Sequence, residues 1–398
     1  MKQTLFIGEY SSRNVGDGII KMAMEKLCRQ YHLPAAFRDF TGGATKVAAE
    51  PSLSGIAPAN DRPPAQSIPH RIKSALLRLS VVNYAVAVLF YFTRYRRIAA
   101  NYRVEEYRQV VIGGGNLLMD NFLNFPLLIL CIVRQCERRR VPVKLFSVGA
   151  GKSYSWVGRQ IMARIVQSDS VESIVCRDGN TYSLIKEIGE EEVDQKIICG
   201  FDSGLYLDRC DALVRRTETV GLGVIAPTVL KTVTPDHPMS DTRQAVQWWD
   251  ALIEELAREV GAERIEIFSN GSAVDNAFAR FLWLELSPKY PGLSVFTSVR
   301  SSSDLIQRIG SYQALAAYRM HAAVTAMALD VPVVGFEWDP KVLQMFTYCG
   351  KRHACIAAVD FHAYLPQDIV ATLLEETPAR LEPIRRVLER DFRHATNV

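Results

Sequence analysis

Several patterns are missing from this 398-residue chain, and each absence removes a class of function. The eight cysteines (28, 131, 136, 176, 199, 210, 349 and 355) include no CxxC pair and keep no regular spacing. A disulfide framework or zinc ribbon is therefore not expected, and reduced thiols in a cytoplasmic protein fit better. The seven histidines form no HxxxH pair, so no structural metal is expected either. The first residues, Met1 to Glu9, read as a strand and lack the longer apolar core and cleavage site of a signal peptide. A net charge of +4 over this length is no nucleic-acid footprint. The G-x-G-x-x-G fingerprint is absent, which discounts NAD. Gly149-Ala150-Gly151-Lys152-Ser153 ends like a phosphate-binding P-loop, but Phe146 stands where its first glycine belongs, so ATP binding is not expected.

What is present is alternation. Residues 5–8, 110–113, 143–148 and 173–176 read as strands, with helices over 19–31, 123–138, 156–166 and 180–188. A second series has strands over 220–225, 264–268, 293–296, 314–317 and 331–336. Its helices fall over 241–260, 273–284, 303–308, 322–329 and 340–348. This pattern predicts an α/β protein of two doubly wound, Rossmann-like domains facing a central cleft. The polar stretch 208–219 lacks periodicity and sets the boundary, giving domains over 1–208 and 209–398. Residues 367–393 read as helical and are expected to pack back on the first domain.

One insertion, 50–104, interrupts the alternation. Five prolines between Glu50 and Pro69 suggest a mobile loop. Residues 62–104 then contain no Asp or Glu, where the chain average predicts about five, but eight Arg or Lys. The apolar run 81–92 is twelve residues long, against about 20 for a membrane span. Its basic flanks suit a segment lying on anionic headgroups, and equally a core helix with solvated ends.

Four strand ends carry residues suited to chemistry. Tyr318-Arg319-Met320-His321-Ala322 joins a buried strand to a helix of small residues, placing a guanidinium and an imidazole at a helix N-terminus. Unpaired N–H groups and the helix dipole make such a position an anion site, although a histidine there can also simply tie a loop together. Asn14-Val15-Gly16-Asp17-Gly18 offers an amide and a carboxylate to a polyol, or a helix cap. Val110 to Asn116 runs a strand into three glycines, a bare backbone that a ligand or a second loop can approach. In Cys176-Arg177-Asp178 the aspartate can cap the next helix, leaving Arg177 for an anion. Lys341, after Asp339-Pro340, adds a further cation.

The order of these motifs resembles the polysaccharide pyruvyl transferase family. The matching residues are Asn14, Gly16 and Asp17; Gly113 to Gly115; Arg177-Asp178; Arg319, His321 and Ala322; and Pro332, Phe336, Asp339 and Lys341. The resemblance runs over roughly residues 4–350, and the insertion is its least typical part. It implies a fold like that of GT-B glycosyltransferases and transfer of pyruvate from phosphoenolpyruvate to a sugar, as a cyclic ketal on a bacterial exopolysaccharide or cell-surface glycan. In that scheme the first domain is the acceptor side, with Asn14, Gly115 and Asn116 on the sugar, and the second is the donor side. Arg319, Arg177 and Lys341 hold the donor, His321 is the general acid and Asp17 the base. No cofactor is required beyond the donor. The acceptor is a sugar, free or lipid-linked, and the basic segment is expected at the cytoplasmic face of the membrane. Two other readings stand beside it: a GT-B glycosyltransferase with Arg319 and Lys341 on a nucleotide-sugar diphosphate, and a non-catalytic glycan-binding subunit.

Overall fold

The computed structural model describes residues 2–10, 15–40, 89–120, 124–151 and 154–398, with backbone alone at Phe92 and His362. Apolar residues alternate along each strand between two buried faces. In β1 (Thr4–Gly8), Leu5 and Ile7 enter one core and Phe6 the other. A strand buried on both faces needs helices on both sides, which is the parallel-sheet solution.

The first half continues with α1 (Gly16–Gln30), β2 (Ala35–Asp39), α2 (Arg96–Ala100), β3 (Gln109–Gly113), α3 (Asn124–Arg139) and β4 (Val143–Val148). It is completed by α4 (Trp156–Val166), β5 (Val171–Cys176), α5 (Gly179–Gly189) and β6 (Ile197–Cys199). The second half holds β7 (Val220–Gly223), α6 (Pro227–Val233), α7 (Thr242–Val260), β8 (Ile265–Phe268), α8 (Ala273–Leu286) and β9 (Ser294–Phe296). Then come α9 (Ser302–Ser311), β10 (Ala314–Ala317), α10 (Met320–Ala328), β11 (Val333–Phe336), α11 (Pro340–Tyr348), β12 (Cys355–Ile356), α12 (Pro366–Glu375) and α13 (Glu382–Thr396).

Among the described residues the strands form two six-stranded sheets, ordered β2-β1-β3-β4-β5-β6 and β12-β11-β10-β7-β8-β9. Every pairing between them is parallel. Strand order reverses between β1 and β3 in one sheet and between β7 and β10 in the other, the places where such sheets open to ligands. The expected pair of doubly wound α/β units is therefore present.

Side chains at the helix starts explain several boundaries. Asp178 accepts from Thr181 N at 2.7 Å, Ser301 from Asp304 N at 3.1 Å, and Asp339 from Lys341 N at 3.1 Å. The helices α1 and α10 begin instead at Val15 and Arg319, with no side-chain cap. These two meet where the sheets face each other. Ser302 Oγ, at the start of α9, donates to Val15 O at 2.7 Å, and Lys26 pairs with Asp208 at 2.6 Å and Asp211 at 2.8 Å beside the connection between the sheets.

Two strands escaped the sequence reading: β2, which carries Arg38 and Asp39, and β12, an edge strand of two residues, too short to show a period. The strand-like run at Cys199 is β6, at the edge of the first sheet, where Cys199 is exposed rather than a core residue. The single helical stretch over 367–393 is corrected to two helices. Pro378 lies between α12 and α13, and proline disfavours helix in the residue before it. Of the insertion, residues 41–88 lie outside the described part. Its end is anchored: Tyr95, Ala99, Tyr102 and Val104 are buried with α3, and Tyr95 Oη donates to Asn124 Oδ1 at 2.6 Å, whereas Leu89 is 57% exposed. Among the described residues, no helix is long and apolar enough to cross a membrane.

Helix α13 returns to the first sheet. The Phe392 ring is fully buried, stacked on Phe6 at 6.3 Å and edge-on to Phe146 at 5.7 Å. Gln109 Nε2 donates to Thr396 O at 2.9 Å, and Arg385 Nη2 donates to both Leu207 O and Ala328 O at 2.9 Å. The chain's end thus clasps both units. Phe392→Ala should lower stability by about 3–5 kcal/mol, as for other buried phenylalanines. A urea midpoint equal to the wild type would contradict this role for α13.

Candidate active site

Loops at the carboxyl ends of both sheets line a cleft of ≈ 520 Å³. Glu9 follows β1, Asn116 and Met119 follow β3, and Arg177 follows β5. From the other sheet come Asn270 after β8, Arg319 and His321 after β10, and Trp338 and Lys341 after β11; Asp17 enters from the first turn of α1. The structure thus brings Asp17, Asn116, Arg177, Arg319, His321 and Lys341 together. Gly115 sits just behind the wall at φ +79°, its Cβ position 3.7 Å from Asp17 Oδ1. Asn14 lies outside the described residues.

His321 is the second residue of α10, and its side chain is 12% exposed. The ring rests on bare backbone: a Cβ on Gly16 would lie 2.5 Å from His321 Nδ1. Asp17 Oδ1 stands 4.0 Å from the same nitrogen. Nε2 is buried with no protein partner. Burial pushes the imidazole below its ordinary range, Asp17 and Asp202 pull it back up, and the Arg177 and Lys341 charges push it down. Burial thus favours the neutral form of the ring.

Arg319 is held by a buried carboxylate. Its Nε and Nη2 donate to Asp275 Oδ2 at 2.9 and 2.6 Å, and Asp275 is fully buried, with Oδ1 accepting from Ala226 N at 2.9 Å. One edge of the guanidinium is thereby fixed, leaving the other to meet a ligand. Trp338 carries two cations, Arg319 at 5.4 Å and Lys341 at 5.1 Å from its ring centroid. Lys341 Nζ also lies 4.0 Å from Asp339 Oδ2.

Arg177 is more enclosed than the sequence suggested. Its side chain is 3% exposed; Nη1 reaches Asp202 at 3.5 Å, Nε reaches Asp178 at 3.4 Å, and Nη2 donates to Asn116 Oδ1. The guanidinium joins the ends of β3 and β5 to the turn at Ser203–Tyr206, where Asp202 accepts from Gly204 N at 2.9 Å. With Oδ1 taken by Arg177, Asn116 has its Nδ2 to offer the cleft.

Sequence reasoning missed Glu9, Asn270, Asp275 and Trp338. Glu9 was legible as a carboxylate ending a strand. Asn270 looks like an ordinary turn residue in Ser-Asn-Gly, yet it is 2% exposed and neither amide atom has a partner. Asp275 sits within an amphipathic helix and gives no local signal of its ion pair. Trp338 lay inside the strand-to-helix segment that carries Lys341, unnoticed between two charged residues.

Solved structures of similar shape set the fold. UDP-GlcNAc 2-epimerase from Methanocaldococcus jannaschii, in complex with UDP-GlcNAc and UDP, superposes with a TM-score of 0.51 at 10% identity, covering 100% of both chains. A UDP-forming α,α-trehalose-phosphate synthase from Burkholderia vietnamiensis gives 0.50 at 8%, covering 99% of this chain and 94% of its own. A putative UDP-N-acetylglucosamine 2-epimerase from Listeria monocytogenes gives 0.52 at 10%, with 100% and 98% covered. These are GT-B proteins, and at such identity the likeness shows the fold alone. No curated protein matches the sequence. The polysaccharide pyruvyl transferase family model matches residues 14–340, and the chain belongs to that family.

Burial first, then the Asp17 and Asp39 charges, raises Glu9 from 4.5 to about 7. The folded protein therefore holds this proton more tightly than the unfolded chain. The corresponding stability is fully present below pH 4.5 and is lost as pH rises through about 7. Glu9→Gln should flatten that decline, so that the variant gains on the wild type in urea unfolding between pH 5 and 8. Parallel pH profiles for the two proteins would contradict the shift.

Proposed function

We propose that the protein transfers pyruvate from phosphoenolpyruvate to a sugar of a bacterial exopolysaccharide or cell-surface glycan precursor, forming a cyclic ketal and releasing phosphate. The observation that carries this reading is the meeting, in one cleft, of the Trp338-stacked pair Arg319 and Lys341 with His321 and Asp17. A small trianionic donor calls for clustered cations and an uncapped helix N-terminus, and α10 supplies the latter. Family membership supports the same reading.

The reaction needs two hydroxyl groups of the acceptor. The first adds to the enol carbon while the methylene carbon takes a proton and becomes a methyl group. The second displaces phosphate and closes the ring. Of the two hydroxyl protons, one balances the new methyl proton and the other leaves with phosphate. Arg319 clamps the donor through its open edge, Lys341 adds charge, and Arg177 supplies a fixed positive wall that orients Asn116. His321 protonates the methylene carbon through Nε2. The bound trianion raises its proton affinity, which burial lowers in the empty site. Asp17 accepts a hydroxyl proton and passes it to solvent; its carboxylate, 4.0 Å from Nδ1, steadies the imidazolium charge, and Nε2 is reprotonated from the cleft between turnovers.

Phosphate release from phosphoenolpyruvate across a panel of lipid-linked oligosaccharides tests the reading. Turnover with at least one of them is expected; consumption of a nucleotide sugar instead would favour a glycosyltransferase. In that assay His321→Ala should lose about 10² to 10⁴ in rate while remaining folded. Arg319→Lys should raise the phosphoenolpyruvate concentration required, because an ammonium cannot replace the planar fork. Normal rate in the first, or unchanged donor saturation in the second, would remove the corresponding role.

We also propose that the basic segment 62–104 brings the enzyme to the cytoplasmic face of anionic membranes, where a lipid-linked acceptor resides. Each basic residue near such a surface contributes about 1 kcal/mol, screened by salt. Flotation with anionic vesicles should weaken as salt rises and when Arg94, Arg96 and Arg97 are neutralised. Equal partition between anionic and neutral vesicles would contradict it.

A further inference from the structure

Asn270 sits in the turn Ser269-Asn270-Gly271, at the carboxyl edge of the second sheet. The backbone of this turn is braced from α8: Asn276 Oδ1 accepts from Ser269 Oγ, and Asn276 Nδ2 donates to Gly271 O at 3.4 Å. Gly271 N donates to Ser269 Oγ at 3.2 Å. Gly271 itself takes φ +90°, packed against Val15 and Val299. None of this bracing reaches the Asn270 side chain. It is 2% exposed and lines the same cleft as Arg319 and His321, and among the described residues neither Oδ1 nor Nδ2 has a hydrogen-bond partner. His321 Nε2 and Trp338 Nε1 are buried and unpartnered in the same wall.

A buried amide with both atoms unpaired is unfavourable and calls for a partner from the cleft. The chemistry of the amide says which kind. Nδ2 donates and Oδ1 accepts, so a ligand that satisfies both must itself accept and donate. Ionised phosphoenolpyruvate has acceptor oxygens only; it can satisfy Nδ2 and leaves Oδ1 orphaned. A sugar hydroxyl does both, and neighbouring hydroxyls on a ring present the two functions side by side. We infer that Asn270 is a sugar-binding residue that holds hydroxyl groups of the acceptor, so that the acceptor is gripped from the second sheet as well as the first. The inference rests on the cleft being the pyruvyl transfer site. It alters the simple division into an acceptor half and a donor half, because a residue from the β8 end then reads the sugar.

The test separates donor from acceptor. Phosphoenolpyruvate binding is measured by calorimetry, and binding of methyl galactoside, glucoside and mannoside by NMR titration. Both are applied to wild type, Asn270→Ala and Asn270→Ser, with melting temperatures alongside. For Asn270→Ala the expected result is weaker glycoside binding by about tenfold, the scale of one well-made polar contact. Phosphoenolpyruvate affinity should stay within about twofold, and the melting temperature should be equal or higher, since two unsatisfied buried atoms are removed. Asn270→Ser, whose hydroxyl donates and accepts, should recover part of the glycoside affinity. Unchanged glycoside binding in Asn270→Ala overturns the inference, as does failure of the wild type to bind any of the three glycosides. A fall in melting temperature with both ligands weakened together marks a structural residue and overturns it equally. If the wild type binds a glycoside through Asn270 but no phosphoenolpyruvate, the donor assignment fails and the sugar-binding role stands.

Discussion

The contact between the His321 ring and the bare backbone of Gly16 sets the geometry on which the cleft depends. One belongs to α10 of the second unit and the other to α1 of the first, and no side chain larger than hydrogen fits between them. The contact brings the N-termini of α1 and α10 together. It also brings Asp17 within 4.0 Å of Nδ1, so a carboxylate from the first unit faces an imidazole from the second. The fully buried alanines of α10 serve the same end, since small residues allow the turn at Ser203–Tyr206 to approach closely.

Charge in the cleft is managed by buried partners. Asp275 gives up its solvation entirely to hold one edge of Arg319, and Arg177 is caged by Asp178, Asp202 and Asn116. A buried ion pair adds little net stability over well-packed apolar residues, whereas removing one partner is strongly destabilising. Their value here lies in orientation: two guanidinium groups with fixed direction and little rotamer freedom to lose on binding. Lys341 lies over the Trp338 ring, 5.1 Å from its centroid, and adds a third cation to the cleft.

Much of this could be read in the sequence. Strands such as β3 and β10 are largely apolar runs, and helices such as α4 and α11 begin at Ser, Asp or Pro, so their limits were visible to within a residue or so. Arg319, His321, Asp17 and Lys341 stood at strand-to-helix junctions, where sheets of this type open. What stayed hidden depends on distance in space. The two-residue edge strand β12 has no period to detect. Asp275 meets Arg319 across 44 positions, and Asn270 is distinguished from any other turn asparagine only by its burial without a partner. The enclosure of Arg177 could not be inferred, because Asp202 and Asn116 reach it from different loops.

The central claim is that this cleft joins an enol phosphate donor to two hydroxyls of one sugar, with a solvent-exchangeable proton delivered to carbon. Running the reaction in D₂O and following it by ³¹P and ¹³C NMR tests it most directly. The account predicts one phosphate released per ketal formed and a product methyl group carrying a single deuterium. Phosphate released without a ketal carbon, or a methyl group free of solvent deuterium, would contradict it.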